Sequence, residues 1–414
     1  MKDEILTHLN DPRQLEKMYR TNKVPFKREF NTLYPELKGN TIADFWNERL
    51  NYESDEINWG TGRELLFVII GSLVAGVIAK LPAFLSIDED FFYPRNIGFI
   101  VFPLLSVYFA WKNNLSASKI TFIASTTLAG LIFINYFPDL KKSDTLVLSC
   151  LHLVLFLWSI LGFAFVAGKR NNEEERLSYL RYNGDLVVMT TLILIAGAIM
   201  TGITIGLFSL IGFDIKEFYF KNIGIFGLAA APIVGTYLTR ANPQLVGKVS
   251  PVIAKLFSPL VLVMLVIYLI AMVYSRKDPY NDREFLLIFN ALLVGVMAII
   301  FFSLAEMTRA TKSYTEIWIL FLLSVVTIVV NGVALSAILF RISAWGFTPN
   351  RAAVLGGNVL ILINLLLVTA QLLRVLSKKA DTSGISRAIA FYLPIYFVWT
   401  IIVTFIFPLI FGFK

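Results

Sequence analysis

Leu335 to Arg351 reads LSAILFRISAWGFTPNR, closing one long apolar run and opening another. Upstream the apolar run reaches back to about 317; downstream it continues to about 374. Each arm is long enough to cross a bilayer, which takes about 20 residues as a helix. Between the arms, Gly346 permits a sharp turn and Pro349 excludes the helical conformation at Thr348. The stretch therefore predicts two membrane helices joined by a tight loop. Arg341 ends the first helix, where a cation suits the negative end of the dipole. Arg351 opens the second, where a cation is unfavourable without an anionic partner: lipid phosphate, Asp282, Glu284 or an external ligand. Trp345 and Phe347 suit the headgroup level. Two readings follow for Arg341, Trp345, Thr348 and Arg351: an interfacial turn, or a contact for a ligand or lipid headgroup.

The rest of the chain repeats the pattern. Of 414 residues, 57% are hydrophobic and only 16% charged, with mean hydropathy +0.69; soluble domains carry nearer a quarter charged residues. From Arg63 onward about eleven apolar spans can be read, near 64–82, 97–111, 119–137, 146–168, 186–211, 222–238, 252–274, 285–305, 317–340, 352–374 and 389–411. The expected fold is all-α: a polytopic membrane bundle of four spans, a cytosolic loop at 169–185 and seven further spans, making up 63–414. In the loop, Glu174 to Arg181 is helix-compatible and Asn183-Gly184 reads as a turn. Pro103 and Pro232 fall inside the short second and sixth spans, which would be broken, re-entrant or kinked. Small residues at four-residue spacing (Ala198, Gly202, Gly206; Gly227, Ala231, Gly235) predict close helix approach.

Charge sets the expected orientation. Before Arg63 there are nine Lys/Arg against eleven Asp/Glu, and afterwards 28 against 18. With the N-terminus inside, cytoplasmic loops hold fourteen cations and outer loops ten, so the positive-inside rule places the N-terminus in the cytoplasm and the C-terminus outside. Met1 to Asn10 lacks an apolar core of signal-peptide length, in agreement. A lipid bilayer is the expected partner; a nucleic-acid partner would need a clustered basic face, and none is visible.

Arg341-Ile-Ser-Ala-Trp-Gly-Phe-Thr-Pro-Asn-Arg351 resembles the R-I-x-x-aromatic-G-apolar-T-P-x-R stretch of a bacterial integral-membrane family, that of domain of unknown function 4153. Lys255-Leu-Phe-Ser-Pro259-Leu, followed by Tyr268, is similar to that family's proline-led span. The resemblance covers roughly 180–375. It implies a bacterial inner membrane and a helical fold, and no activity.

Residues 1–62 form a separate polar segment. Asp11-Pro12 predicts a capped helix start, with Leu15, Met18 and Tyr19 on one face. Phe26, Phe30, Leu33 and Tyr34 share the next face, stopped by Pro35. Thr41 to Asp44 resembles a capping box before Phe45, Trp46 and Leu50. Helices this short are expected to bury little surface by themselves. Their aromatic faces should dock on the membrane surface, on cytosolic loops or on a protein partner.

No cofactor, metal or catalytic constellation is expected. Cys150 and His152 sit two residues apart, face different helix sides and lack the ligands of a zinc site. Asp88-Glu89-Asp90 resembles the paired carboxylates of membrane glycosyltransferases acting on lipid-linked sugars, although a solvated acidic loop is the stronger reading. Glu306, at the end of a span, could accept a proton or bind sodium. Asn331, Asn358 and Asn364 either hydrogen-bond helices together or line a polar cavity. Three functions are compatible with these residues. The first is permease-like movement of a solute or lipid-linked molecule, the second a sensor or scaffold using residues 1–62, and the third, more remote, a transferase.

Overall fold

The computed structural model describes residues 2–51, 61–138, 143–167, 173–210, 214–243, 258–263, 265–267, 269–270, 280, 283–307, 314–377 and 383–414. Asp282, most of the Lys255 motif and the side chains of Glu284 and Glu306 lie outside the described residues. The chain divides into two units, Met1–Asn58 and Trp59–Lys414.

The first unit contains α1 (Lys2–Thr7), α2 (Pro12–Thr21), α3 (Lys23–Leu37) and α4 (Thr41–Asn51). Asp11 caps α2, its carboxylate accepting from the Arg13 and Gln14 amides at 3.1 and 3.2 Å. The cap of α4 lies one residue earlier than the capping-box reading, because Asn40 Oδ1 accepts from the Ile42 and Ala43 amides. Asp44 instead accepts from Tyr34 Oη at 3.0 Å. Helix α3 runs two residues past Pro35, to Leu37, rather than stopping at it. The aromatic faces close on one another, contrary to the expectation that they would be left for other surfaces. Phe26, Phe30 and Trp46 are buried with Ile5, Leu15 and Leu33. Three large rings supply about 150–250 Å² each, enough to give short helices a core. Outside that core, Glu16 is paired with both Arg20 and Arg49, each at 2.7 Å.

In the second unit every regular element among the described residues is helical, and eight helices are long and apolar enough to cross a membrane. In chain order the helices are α5 (Gly62–Ala79), α6 (Leu81–Leu85), α7 (Glu89–Lys112), α8 (Ala117–Asn135), α9 (Asp144–Phe165) and α10 (Glu173–Leu210). There follow α11 (Lys216–Ala241), α12 (Arg283–Met307), α13 (Tyr314–Trp345), α14 (Pro349–Leu376) and α15 (Gly384–Ile410). Helices α5, α7, α8, α9 and α11 share one core and α12 to α15 another. Helices α10 and α15 pack against members of both.

Two expectations about breaks change. The loop helix and the fifth span are one 38-residue helix, α10, with Asn183 and Gly184 inside it. Gly184 is there for packing: a Cβ would fall 1.9 Å from the Phe302 ring of α12. Helix α7 runs unbroken through Pro94 and Pro103, and α11 absorbs its irregularity in a π-helical turn, Phe220–Gly224. Of the small-residue faces, Gly235 packs on Leu186 and Thr190 of α10, whereas a Cβ at Gly202 or Gly227 would meet nothing within 4 Å among the described residues.

The helix ends sort onto two sides. Asn113, after α7, donates to the carbonyls of Ala164 and Phe165 at the end of α9, and Lys119 in α8 donates to Ala167. At the other side Tyr93 Oη donates to the Ala79 carbonyl, and Lys80 is hydrogen-bonded to Asn222.

Candidate functional site

The opening loop resolves its own electrostatic puzzle. Thr348 caps α14, its hydroxyl accepting from the Arg351 amide at 3.4 Å, and Gly346 takes φ +80. Arg351 Nη1 donates to the carbonyls of Trp345 and Gly346, at 2.8 and 2.6 Å. A guanidinium at the start of α14 thus satisfies carbonyls left open at the end of α13, where a cation belongs. Arg341 and Arg351 lie 5.1 and 5.7 Å from the Trp345 ring centroid. The four residues named from the sequence are brought together, and among the described residues the Arg351 guanidinium is held by two backbone carbonyls.

The deep asparagines join helices. Asn358 donates to Asn290 Oδ1 at 2.8 Å, and Asn331 donates to the Asn358 carbonyl at 3.2 Å, tying α12, α13 and α14. Asn364 is not part of this set; it donates to Tyr396 Oη of α15 at 3.2 Å. The Oδ1 atoms of Asn331 and Asn364 are buried and accept no hydrogen bond among the described residues.

An ion pair the sequence reading passed over lies between α5 and α7. Glu64 is only 5% exposed. Its Oε1 accepts from Tyr108 Oη and Lys112 Nζ, both at 2.5 Å. Glu64 is in the first turn of its helix and Lys112 in the last turn of its own, so both dipoles favour the charges they carry. On the other side, the Asp88 carboxylate caps α7, accepting from the Asp90 amide at 3.0 Å.

A cavity of about 710 Å³ with room for a ligand is walled by α8, α9, α10 and α15. Phe122, Trp158, Phe163, Tyr179 and Phe397 give it an aromatic lining, and Arg176 contributes a guanidinium. Its wall is fixed by a ring of hydrogen bonds. Tyr179 donates to the Trp158 carbonyl at 2.6 Å, Trp158 Nε1 to Asn183 at 2.9 Å, and Asn183 to the Tyr179 carbonyl at 2.6 Å. Gly162 admits the Tyr179 ring, since a Cβ there would lie 2.9 Å from it. Arg176 is held by the Ala390 carbonyl at 2.9 Å. Apolar and aromatic walls with few, fixed polar groups suit an organic ligand, and a cation among rings suits an anionic amphiphile. Sequence reading missed this site because aromatic residues near helix ends look identical to an interfacial belt. Helix α15, which closes the cavity, is far in the chain from the consecutive helices α8, α9 and α10.

Comparison of the chain with protein-family models, with curated proteins and with solved structures finds no match.

Proposed function

We propose that the protein is a permease-like membrane protein that binds and moves an anionic amphiphile or lipid-linked molecule through the helix bundle. The observation that carries this reading is the aromatic cavity with Arg176 in its wall. Its volume lies within the usual range for small-molecule sites, about 300–1,000 Å³. The interior asparagines act as interhelical contacts and add polarity to the bundle without defining the route.

An eleven-crossing bundle is supported by helix direction. Arg240, at the end of α11, lies over Phe109 and Phe165, near the ends of α7 and α9. The end of α12 is on that same side, where Arg181 of α10 donates to the Ala305 carbonyl. We take the apolar 252–274 stretch of the sequence, long enough to cross a bilayer, as one further crossing between α11 and α12. With α7 and α12 counted as crossings, the eight long apolar helices become eleven. A bacterial inner membrane with the N-terminus inside is the proposed setting, resting on loop cations and on the family resemblance of the Arg341–Arg351 loop.

Reconstituted vesicles test the function. Protein in vesicles holding a headgroup-labelled phosphatidylglycerol should expose inner-leaflet label to an external quencher faster than protein-free vesicles. Ser159→Trp, which fills the cavity from its wall, should slow it. Rates equal to those of empty vesicles would rule the reading out. A second reading, capture of a protein partner by residues 1–62, rests on Phe45, which is 63% exposed while its neighbours are consumed in the unit's core.

A further inference from the structure

Helix α15 changes the core it packs on partway along its length. Ile385, Ile389 and Ala390 are buried in the core shared by α12 to α14. Phe397, Ile401 and Phe405 pack instead on the core of α5, α7, α8, α9 and α11. Between the two sets stands Pro394, in the helix interior. Just beyond it Tyr396, bonded to Asn364, still faces α14. Proline has no amide hydrogen, so the helix leaves the Ala390 carbonyl without its usual donor and bends easily there. In a membrane a freed carbonyl is tolerated where a neighbour supplies the bond. Arg176 of α10 supplies it, at 2.9 Å. Arg176, Leu393, Pro394 and Phe397 all line the aromatic cavity. The change of core, the freed carbonyl and the cavity therefore coincide.

We propose that α15 bends at Pro394 and that this bend opens and closes the aromatic cavity, residues 384–393 moving away from α9 with the second helix group. The inference deepens the ligand reading of that cavity and rests on it for what drives the bend; the hinge itself is read from α15 alone. Two features confine the motion to the cavity end. At the far end of α15, Val403 and Phe407 pack with Leu148 of α9 and Ala352 of α14, tying the two groups together. At the cavity end, three arginines link α10 to the moving side: Arg176 on Ala390, Arg181 on the Ala305 carbonyl at 2.7 Å and Arg387 on Glu173 at 3.2 Å. Side chains with that many rotamers follow a small displacement more readily than packed aliphatic contacts do. Gly384 lies ten residues from Pro394, about 15 Å along the helix. A turn of about 15°, the scale of rigid-body rotations in switching proteins, moves that end by about 4 Å.

Pulsed electron paramagnetic resonance on the full chain in vesicles tests it. Spin labels at Ser118→Cys, in the first turn of α8, and Ser377→Cys, at the end of α14, both exposed positions, report the gap at the cavity end in a Cys150→Ala background. The distance should fall into two populations about 4 Å apart, with phosphatidylglycerol changing their ratio relative to phosphatidylcholine. Pro394→Ala, which restores the missing amide and favours a straight helix, should leave one population. One population in the unaltered protein in both lipids, or two that persist in Pro394→Ala, would overturn the hinge. Two populations that Pro394→Ala removes, but whose ratio ignores the lipid, would leave the hinge standing and count against the anionic amphiphile instead.

Discussion

At the scale of single residues, the account turns on charges that find partners across helix ends. Arg351 is the clearest. Its two carbonyl acceptors are an exposed pair, so Arg351→Ala should cost about 1 kcal/mol, near the lower bound for charged hydrogen bonds. Arg351→Lys should recover little, because a single ammonium does not reproduce the fork. A thermal unfolding comparison checks both. The Glu64–Lys112 pair is more deeply committed. Breaking a buried pair costs about 3–5 kcal/mol, but Lys112 keeps access to solvent, so Glu64→Leu should cost about 2. Adding Lys112→Met should return part of that loss, read as a coupling energy in a double-mutant cycle. Additive losses would mean that the two side chains do not interact.

At the scale of elements, local signals were legible and long-range ones were not. Asp11 before Pro12 could be read as a cap and Thr348 before Pro349 as a helix boundary, because the chemistry lies within three residues. The continuity of α10 could not: Asn183-Gly184 is a turn signal by composition, and only the Phe302 ring of a distant helix shows why glycine stands there. The N-terminal unit misled for a related reason, since each amphipathic face alone is too small to persist and the core exists only when four helices meet. Trp46→Ala should therefore cost about 3–5 kcal/mol and unfold that unit, which loss of its helical circular dichroism would report. Its stability should also depend on pH. The Arg20 hydrogen bond, aided by Arg49, holds the Glu16 carboxyl below its ordinary value despite some desolvation. A depressed folded value stabilises fully above about pH 4.3 and less as pH falls through the lower folded value. The melting temperature of residues 1–58 should fall over that window, and Glu16→Gln should remove this part of the fall.

At the scale of the whole molecule, hydropathy alone revealed a membrane bundle, while the cavity among α8, α9, α10 and α15 needed the fold. No spacing in the sequence relates Phe122 to Phe397. Helix direction makes a separate prediction: reporters in the 169–172 segment and in the 341–351 loop should fall on opposite sides of the membrane. Reporters on one side would remove the eleven-crossing reading. The central claim is that the aromatic cavity takes an anionic amphiphile. A photo-reactive phenylalanine analogue at Phe163 tests it most directly, in membranes of mixed phosphatidylglycerol and phosphatidylcholine. The expected product is a crosslink enriched in phosphatidylglycerol, with the enrichment lost in Arg176→Gln. Crosslinks that follow the bulk lipid ratio, or that ignore the loss of Arg176, would contradict it.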